Sequence, residues 1–407
     1  MSEHETTAAG GIIEVDGSAA ADDKALLTPF NIISGIIVIV GLVLTALRFT
    51  KGLGAVTNLS DTQPWGLWIG FDLMCGVALA AGGFTTSAAC YIFGMKKYHA
   101  AVRPAILTGF LGYGTVLVSL IYDVGRPVRL ALAYPFVVQQ GTTSLLFEVG
   151  LCVLLYLTVL FLEFSPIPLE WLGLKKVRKI AVRFTVALTI FGVVLSTLHQ
   201  SSLGALFLIA PSKLHPLWYS PYIGVFFFVS SIIAGLSMVV FEGSLSHKAF
   251  HHKMDATYLQ GHKPLVFGYA KAASFVLFGY FAIKIIGIAE GNHWHLLHTP
   301  YGIWFLVELF GSVALPCYLF AVGSRNKNYG LIQFAAVLSV IGIVLNRLNV
   351  CMIAFNWHLP LSERYIPSWM EIALSIFMIT CLILVFRFIA TRMPVFYEHP
   401  DFKEYHE

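Results

Sequence analysis

Residues Ala181–Leu198 read AVRFTVALTIFGVVLSTL, and the chain continues His199-Gln200-Ser201-Ser202-Leu203-Gly204 before a second apolar run opens near Tyr222. Each run is about the length that crosses a hydrocarbon core as a helix. Between them stands Lys213-Leu214-His215-Pro216-Leu217-Trp218. Two imidazoles, an amide, two hydroxyls and an indole are thus expected where a membrane helix meets water. Polar groups near membrane depth are costly unless they are used. His215 taken alone reads equally well as a plain interfacial residue, but the density of polar groups here points to a site.

The rest of the chain repeats this pattern. Of 407 residues 57% are hydrophobic and 12% charged, with a mean hydropathy of +0.77, whereas soluble domains carry about 25% charged residues. Blocks of about 20 apolar residues argue for helices and against a barrel, whose strands would be short and alternating. The expected fold is an all-α polytopic membrane protein with about ten spans. These include Trp65–Gly94, too long for a straight crossing without tilt or an interfacial first turn, and Pro104–Tyr122, Thr143–Leu162, Ala181–Leu198 with room for an extension, and Leu265–Ile288. Residues 1–28 read as a polar cytoplasmic tail, 29–394 as the transmembrane domain and 395–407 as a second cytoplasmic tail.

Six cysteines lie far apart inside apolar blocks, none in CxxC or CxxCH, so neither an iron–sulfur cluster nor c-type haem is expected on this chain. The cluster His247, His251, His252 and His262 has irregular spacing and no cysteine, and reads as a solvated basic loop rather than a metal site.

Basic residues orient the spans. With the N-terminus in the cytoplasm, 17 of the 26 Lys and Arg fall on that side and eight on the other, with Lys271 inside a span. Both termini then come out cytoplasmic, in a bacterial inner membrane. The opposite face carries Trp65, Trp68, Trp218, Trp294, Trp357 and Trp369, while Trp171 alone is clearly inside. A one-sided excess of tryptophan suggests that a partner or ligand docks outside.

Ionisable residues within the spans are the next signal. Asp72 lies in the second span, Glu148 near the outer end of the fourth, Glu308 in the eighth and Arg347 in the ninth between Asn346 and Asn349. Each ion costs about 2.5–3.5 kcal/mol at mid-membrane even on the mild insertion scale. They read either as an ion-pair network holding helices together or as a proton relay or polar pocket. Glu163 and Glu242 lie toward the inner face and also read as ordinary interfacial carboxylates. Asp123-Val124-Gly125-Arg126-Pro127 closes the third span, either as a cap or by presenting the Arg126 fork to an anionic or carbonyl oxygen.

Six motifs in order carry a family resemblance: Pro64-Trp65-Gly66-Leu67-Trp68-Ile69-Gly70-Phe71-Asp72, Asp123-Val124-Gly125-Arg126, Leu145-Leu146-Phe147-Glu148, His199 to Gly204, His215-Pro216-Leu217-Trp218 and Phe241-Glu242-Gly243-Ser244-Leu245. Together they resemble the NrfD/polysulfide reductase (PsrC-like) membrane-subunit superfamily, in its HybB-like branch. The resemblance implies two four-helix bundles, spans two to five and six to nine, with one further helix at each end. It implies electron exchange between a periplasmic iron–sulfur subunit, with a hydrogenase or multihaem cytochrome c behind it, and a quinone, here menaquinone. It places the quinone near the periplasmic face of the first bundle and so points to Trp65, Trp68, Asp72, Asp123, Arg126, Glu148, His199 and His215. Arg126 with His199 or His215 would bind a quinone carbonyl, and Asp72, Glu148 or His199 would move protons. The imidazoles suit this role, with an ordinary pKa near 6.5. Glu242, Glu308 and Arg347 are candidates for a proton path. The spans offer no facing histidine pair for b-type haem, and none is expected. The competing reading is a secondary transporter or ion-translocating module, in which the buried ions form the substrate path; no clear inverted repeat supports it.

Overall fold

The computed structural model describes residues 28–125, 145–397 and 402. The described residues contain ten helices long and apolar enough to cross a membrane. They are α1 (Pro29–Lys51), α2 (Trp68–Ile92), α3 (Lys96–Asp123), α4 (Glu148–Trp171), α5 (Thr185–Ile209), α6 (Ile223–Ala249), α8 (Pro300–Arg325), α9 (Tyr329–Ile353) and α10 (Trp369–Arg392), with α7 spanning Ala256–Glu290. Their starts follow local chemistry. Thr28, Asp255, Thr299 and Asn328 each accept an N–H of the first turn, and Pro29 and Pro300 occupy first-turn positions where a missing N–H costs nothing. Ser368 and Glu371 close a capping box on α10.

Helices α2 to α5 pack as one four-helix bundle and α6 to α9 as a second, while α10 packs on α3 and α1 packs on α10, reaching α3 through Thr45 and Arg48. Both flanking helices, although at opposite ends of the chain, thus stand on the first bundle. Helix α2 is central, with 78% of its apolar window buried against 17% for α1. It resolves its excess length by breaking. A π-helical turn at Trp68–Leu73 leads into an α-helix that stops at Leu79, a turn at Ala80–Ala81 follows, and Gly82 starts the next segment. At that break α2 meets α6 backbone to backbone. A Cβ on Gly235 would stand 2.8 Å from the Ala81 carbonyl carbon, and one on Gly82 would stand 2.9 Å from Val239 Cγ2. Small residues permit such close approach, and dispersion and polar contacts then hold the two bundles together without help from water.

Two expectations change. Helix α5 takes up the extension left open to it and runs through His199–Gly204, where His199 and Ser201 hydrogen-bond carbonyls of their own helix, at Leu195 and Thr197. His199 is therefore fully buried rather than placed where the helix meets water. Helix α7 likewise starts before His262, which is buried and bonded to the Tyr329 hydroxyl at 2.8 Å rather than part of a solvated loop.

On the face that carries Lys96, Lys97 and Lys175–Arg183, here the basic face, Arg103 and Arg178 both bond Glu170, at 2.9 and 3.2 Å. Arg103 also donates to the carbonyls of Pro394 and Tyr397. Val395 and Phe396 are buried, and Phe396 stacks on Phe250.

Candidate functional site

The opposite, tryptophan-bearing face is organised by the π turn of α2. Wide turns of this kind are rare and frequently occur at functional positions. The turn places Asp72 toward α10, where Ser375 donates to its Oδ2 at 2.7 Å. Trp68 lies beside it, its Nε1 donating to the Glu371 carbonyl at 3.2 Å and its ring edge-on to Tyr122. Trp68, Asp72, Ser119, Tyr122, Leu374 and Met378 line a narrow crevice between α2, α3 and α10. The buried Ser119 Oγ has no hydrogen-bond partner among the described residues. A buried hydroxyl without a partner costs about 1–3 kcal/mol, so a ligand oxygen there would be welcome.

Arg48 closes the top of α3. Its Nε and Nη2 donate to the carbonyls of Tyr122 and Val124, at 2.7 and 2.9 Å, and it lies within electrostatic range of Asp123. A cation at a helix C-terminus also answers the helix dipole. One buried Asp123 oxygen has no partner among the described residues. Arg126, the next basic residue in sequence, lies outside them. Glu371 is a hub outside this crevice: its Oε2 accepts from the N–H groups of Asn58 and Ser368, and its Oε1 from the Tyr365 hydroxyl. Burial, then this hydrogen bond, raises the pKa of Tyr365 above its ordinary value.

The remaining candidates separate into other clusters. Trp65 turns toward the seam between the bundles and packs on Phe207 and Phe355, with ring centroids 5.7 and 6.0 Å away. Glu148 and His199 lie along the α4/α5 interface. Ser202 donates to Glu148 Oε1 at 2.6 Å; one turn deeper, Tyr113 bonds His199 Nε2 while Nδ1 bonds the Leu195 carbonyl. Tyr156 packs on both rings. Toward the basic face Thr189 donates to Glu163 at 2.9 Å. Polar groups thus occupy three depths of one interface. At 1.5 Å per residue, the ten positions from His199 to Thr189 leave about 15 Å between the lower two.

His215 does not join His199. Its N–H donates to the Ala354 carbonyl at 2.9 Å, beside the single bridge Leu214–Phe355, which fixes this loop to the end of α9. The ring stacks on Tyr301 at 4.7 Å and meets Trp357 edge-on at 5.0 Å. Burial, then the neighbouring His293, lowers its pKa to about 4. Next to it Trp218 donates to Glu308 at 2.7 Å; Asn346 donates at 2.7 Å, and Asn349 completes the set. Arg347 bonds Asn346, Ser230 and the Phe227 carbonyl and lies over the Phe227 ring at 3.7 Å. Buried Lys284 faces the rings of Phe226, Phe305 and Tyr280. Glu242 borders a small pocket with Tyr258 and His262 of the second bundle and Pro104 and Ala105 of α3, at the basic end of the seam between the bundles. Among the described residues no three His, Cys, Asp or Glu stand close enough to share a metal.

Sequence reasoning missed Arg48, Tyr113, Tyr122, Ser375 and Glu371. Only Glu371 had a legible signal, the spacing Ser368-x-x-Glu371 before an apolar run.

The model of the polysulphide reductase family NrfD matches residues 55–357, both bundles. The chain belongs to the NrfD family. A protein of Nitratidesulfovibrio vulgaris is 66% identical over 387 residues, 95% of this chain and 99% of its own length. The probable Ni/Fe-hydrogenase 2 b-type cytochrome subunit of Escherichia coli is 31% identical across 84% of this chain and 86% of its own. The integral membrane subunit of menaquinone reductase from N. vulgaris is 29% identical across 85% and 86%. This NrfD chain is thus a membrane redox subunit, similar to membrane subunits of hydrogenases and quinone reductases.

Proposed function

We propose that this chain exchanges electrons between an iron–sulfur or cytochrome subunit docked on the tryptophan face and menaquinone in the bilayer. The membrane is the bacterial inner membrane, with both termini in the cytoplasm. The observation that carries this reading is the crevice at Asp72. It joins a carboxyl group and an unpartnered hydroxyl, Ser119, to an apolar wall of Leu374 and Met378. A quinone needs that combination of a donor for an oxygen, a titratable group for protons and apolar contact; the crevice is closed as it stands, so α10 would have to part from α2 and α3 to admit the head group. Each quinone takes up two electrons and two protons to become quinol. Asp72 would deliver a proton, with Trp68 packing the ring and Asp123 closing the site from the end of α3; Arg126 is the further candidate to bind a quinone oxygen. Glu148 and His199, on the polar α4/α5 interface, would resupply protons. His215, held by Tyr301 and Trp357, would order the loop beneath the docked partner.

The similarity to a menaquinone reductase subunit favours menaquinone as substrate. Both nitrogens of His199 are engaged, and His215 Nδ1 accepts the Leu217 N–H. On this reading neither serves as an axial ligand, and the chain carries no haem or cluster of its own.

A second reading, ion translocation, draws on the second bundle, where Glu308, Arg347 and Lys284 are buried away from the crevice. With Glu242 at the basic end they would form a substrate or proton path that needs no quinone. Titrating the purified subunit with a menaquinone analogue separates the readings. Saturable binding that a bulky Ser119→Phe abolishes supports the quinone site; absence of binding in a folded wild type overturns it.

A further inference from the structure

On the basic face, far from that crevice, α4 and α5 are joined by the helix Lys175–Arg183, KKVRKIAVR. At 100° per residue its sequence divides into two stripes. Val177, Ile180 and Ala181 lie on one side and continue into Phe184; Lys176, Lys179 and Arg183 lie on the other, bordering Ile180. The apolar stripe does not pack into the bundle. Val177, Ile180 and Phe184 are exposed and, with Leu162, Leu169 and Phe191, help line an open groove of about 660 Å³ between α4 and α5. Ser165 is the one polar residue in that lining. The opposite side is anchored, because Arg178 is buried and bonds Glu170 at 3.2 Å. Trp171, half exposed just before the helix, marks the depth of the headgroups.

We propose that this groove is a specific site for one anionic diacyl phospholipid. Its acyl chains fill the channel between α4 and α5, and its phosphate lies against Lys176 and Arg183. Charge complementarity selects the occupant. Hydrocarbon alone would satisfy the groove with any lipid, but the cationic stripe bordering it adds about 1 kcal/mol per Lys or Arg for a negative headgroup. An amphipathic helix with cations above and apolar residues below lies in the interface plane for the same reason. The ion pair to Glu170 keeps the helix in place, so the site exists before the lipid arrives.

The test uses the full chain in detergent, titrated with dioleoyl phosphatidylglycerol or dioleoyl phosphatidylcholine and followed by native mass spectrometry. The wild type should retain the anionic lipid about 25-fold more strongly. Lys176→Gln and Arg183→Gln should each weaken it about fivefold without affecting the zwitterionic lipid. Ala187→Trp, which fills the groove from an exposed position, should weaken both. Circular dichroism and melting of each variant establish that it is folded. Equal retention of the two lipids by wild type, or an undiminished anionic preference in the folded double charge variant, overturns the proposal. Quinone titration of the same variants should be unchanged, so this result is independent of the Asp72 site.

Discussion

Ser375, on the last membrane helix, donates its hydroxyl to Asp72 on the second, 303 positions away in the chain, at 2.7 Å. The bond joins a flanking helix to the carboxyl group that the proposed chemistry needs. Helix α10 is thus part of the crevice wall and not only a lipid-facing strut.

If Asp72 delivers a proton to quinone, Asp72→Asn should lower turnover about 10²–10⁴-fold while quinone affinity changes little. Ser375→Ala removes one hydrogen bond worth roughly 1–3 kcal/mol and should have a smaller effect of the same kind. Steady-state kinetics of the assembled complex, with dye-linked partner activity as control, checks both. Wild-type turnover in Asp72→Asn would remove this residue from the proton route.

Arg126 is proposed to bind a quinone oxygen. Arg126→Ala should weaken affinity by about one to two decades, the equivalent of a charged hydrogen bond of roughly 1.5–3 kcal/mol. Glu242→Gln, at the opposite end of the bundle, should leave affinity intact and alter at most proton uptake. Quinone titration reads both, and the reverse pattern would move the site to the basic face.

His215 gives a pH dependence of stability. Its pKa falls from 6.5 to about 4 in the folded chain, so below pH 6.5 the unfolded state binds the extra proton. Stability is then full above about pH 6.5 and is lost as pH falls toward 4, by up to about 3 kcal/mol. His215→Gln should flatten that acid limb of the melting curve in detergent. An identical limb in wild type and variant would assign the effect to other groups.

Topology follows from the 17 to eight division of basic residues. A reporter fused after Glu407 should be active in the cytoplasm and one inserted in residues 291–300 in the periplasm. The opposite labelling would invert the placement of both proposed sites.

The ten spans were legible because apolar length is a local property of the chain, and the two bundles only through the family resemblance that the six motifs carry. What was not legible depends on partners distant in sequence. Arg48 looks like a helix-end charge until the carbonyls of Tyr122 and Val124 come to it. His199 looks interfacial because composition changes after Leu198, yet bonds to Leu195 and Tyr113 carry it into the bundle. His215 lies only 16 positions further on, but its tie to Ala354 commits it to the second bundle. The notion of one gathered polar cluster therefore gives way to several, of which the Asp72 crevice combines polar and apolar walls.

The glycine contact between α2 and α6 bears on what could cross this protein. With Gly235 against Ala81 and Gly82 against Val239, the two halves are welded near the middle of α2, with no layer of side chains to act as a bearing. Rocking one half against the other, the usual stroke of a carrier, would have to part that close contact. A machine built this way does its work with its frame standing still. On the proposed function its moving parts are then electrons, protons and the rotations of single side chains.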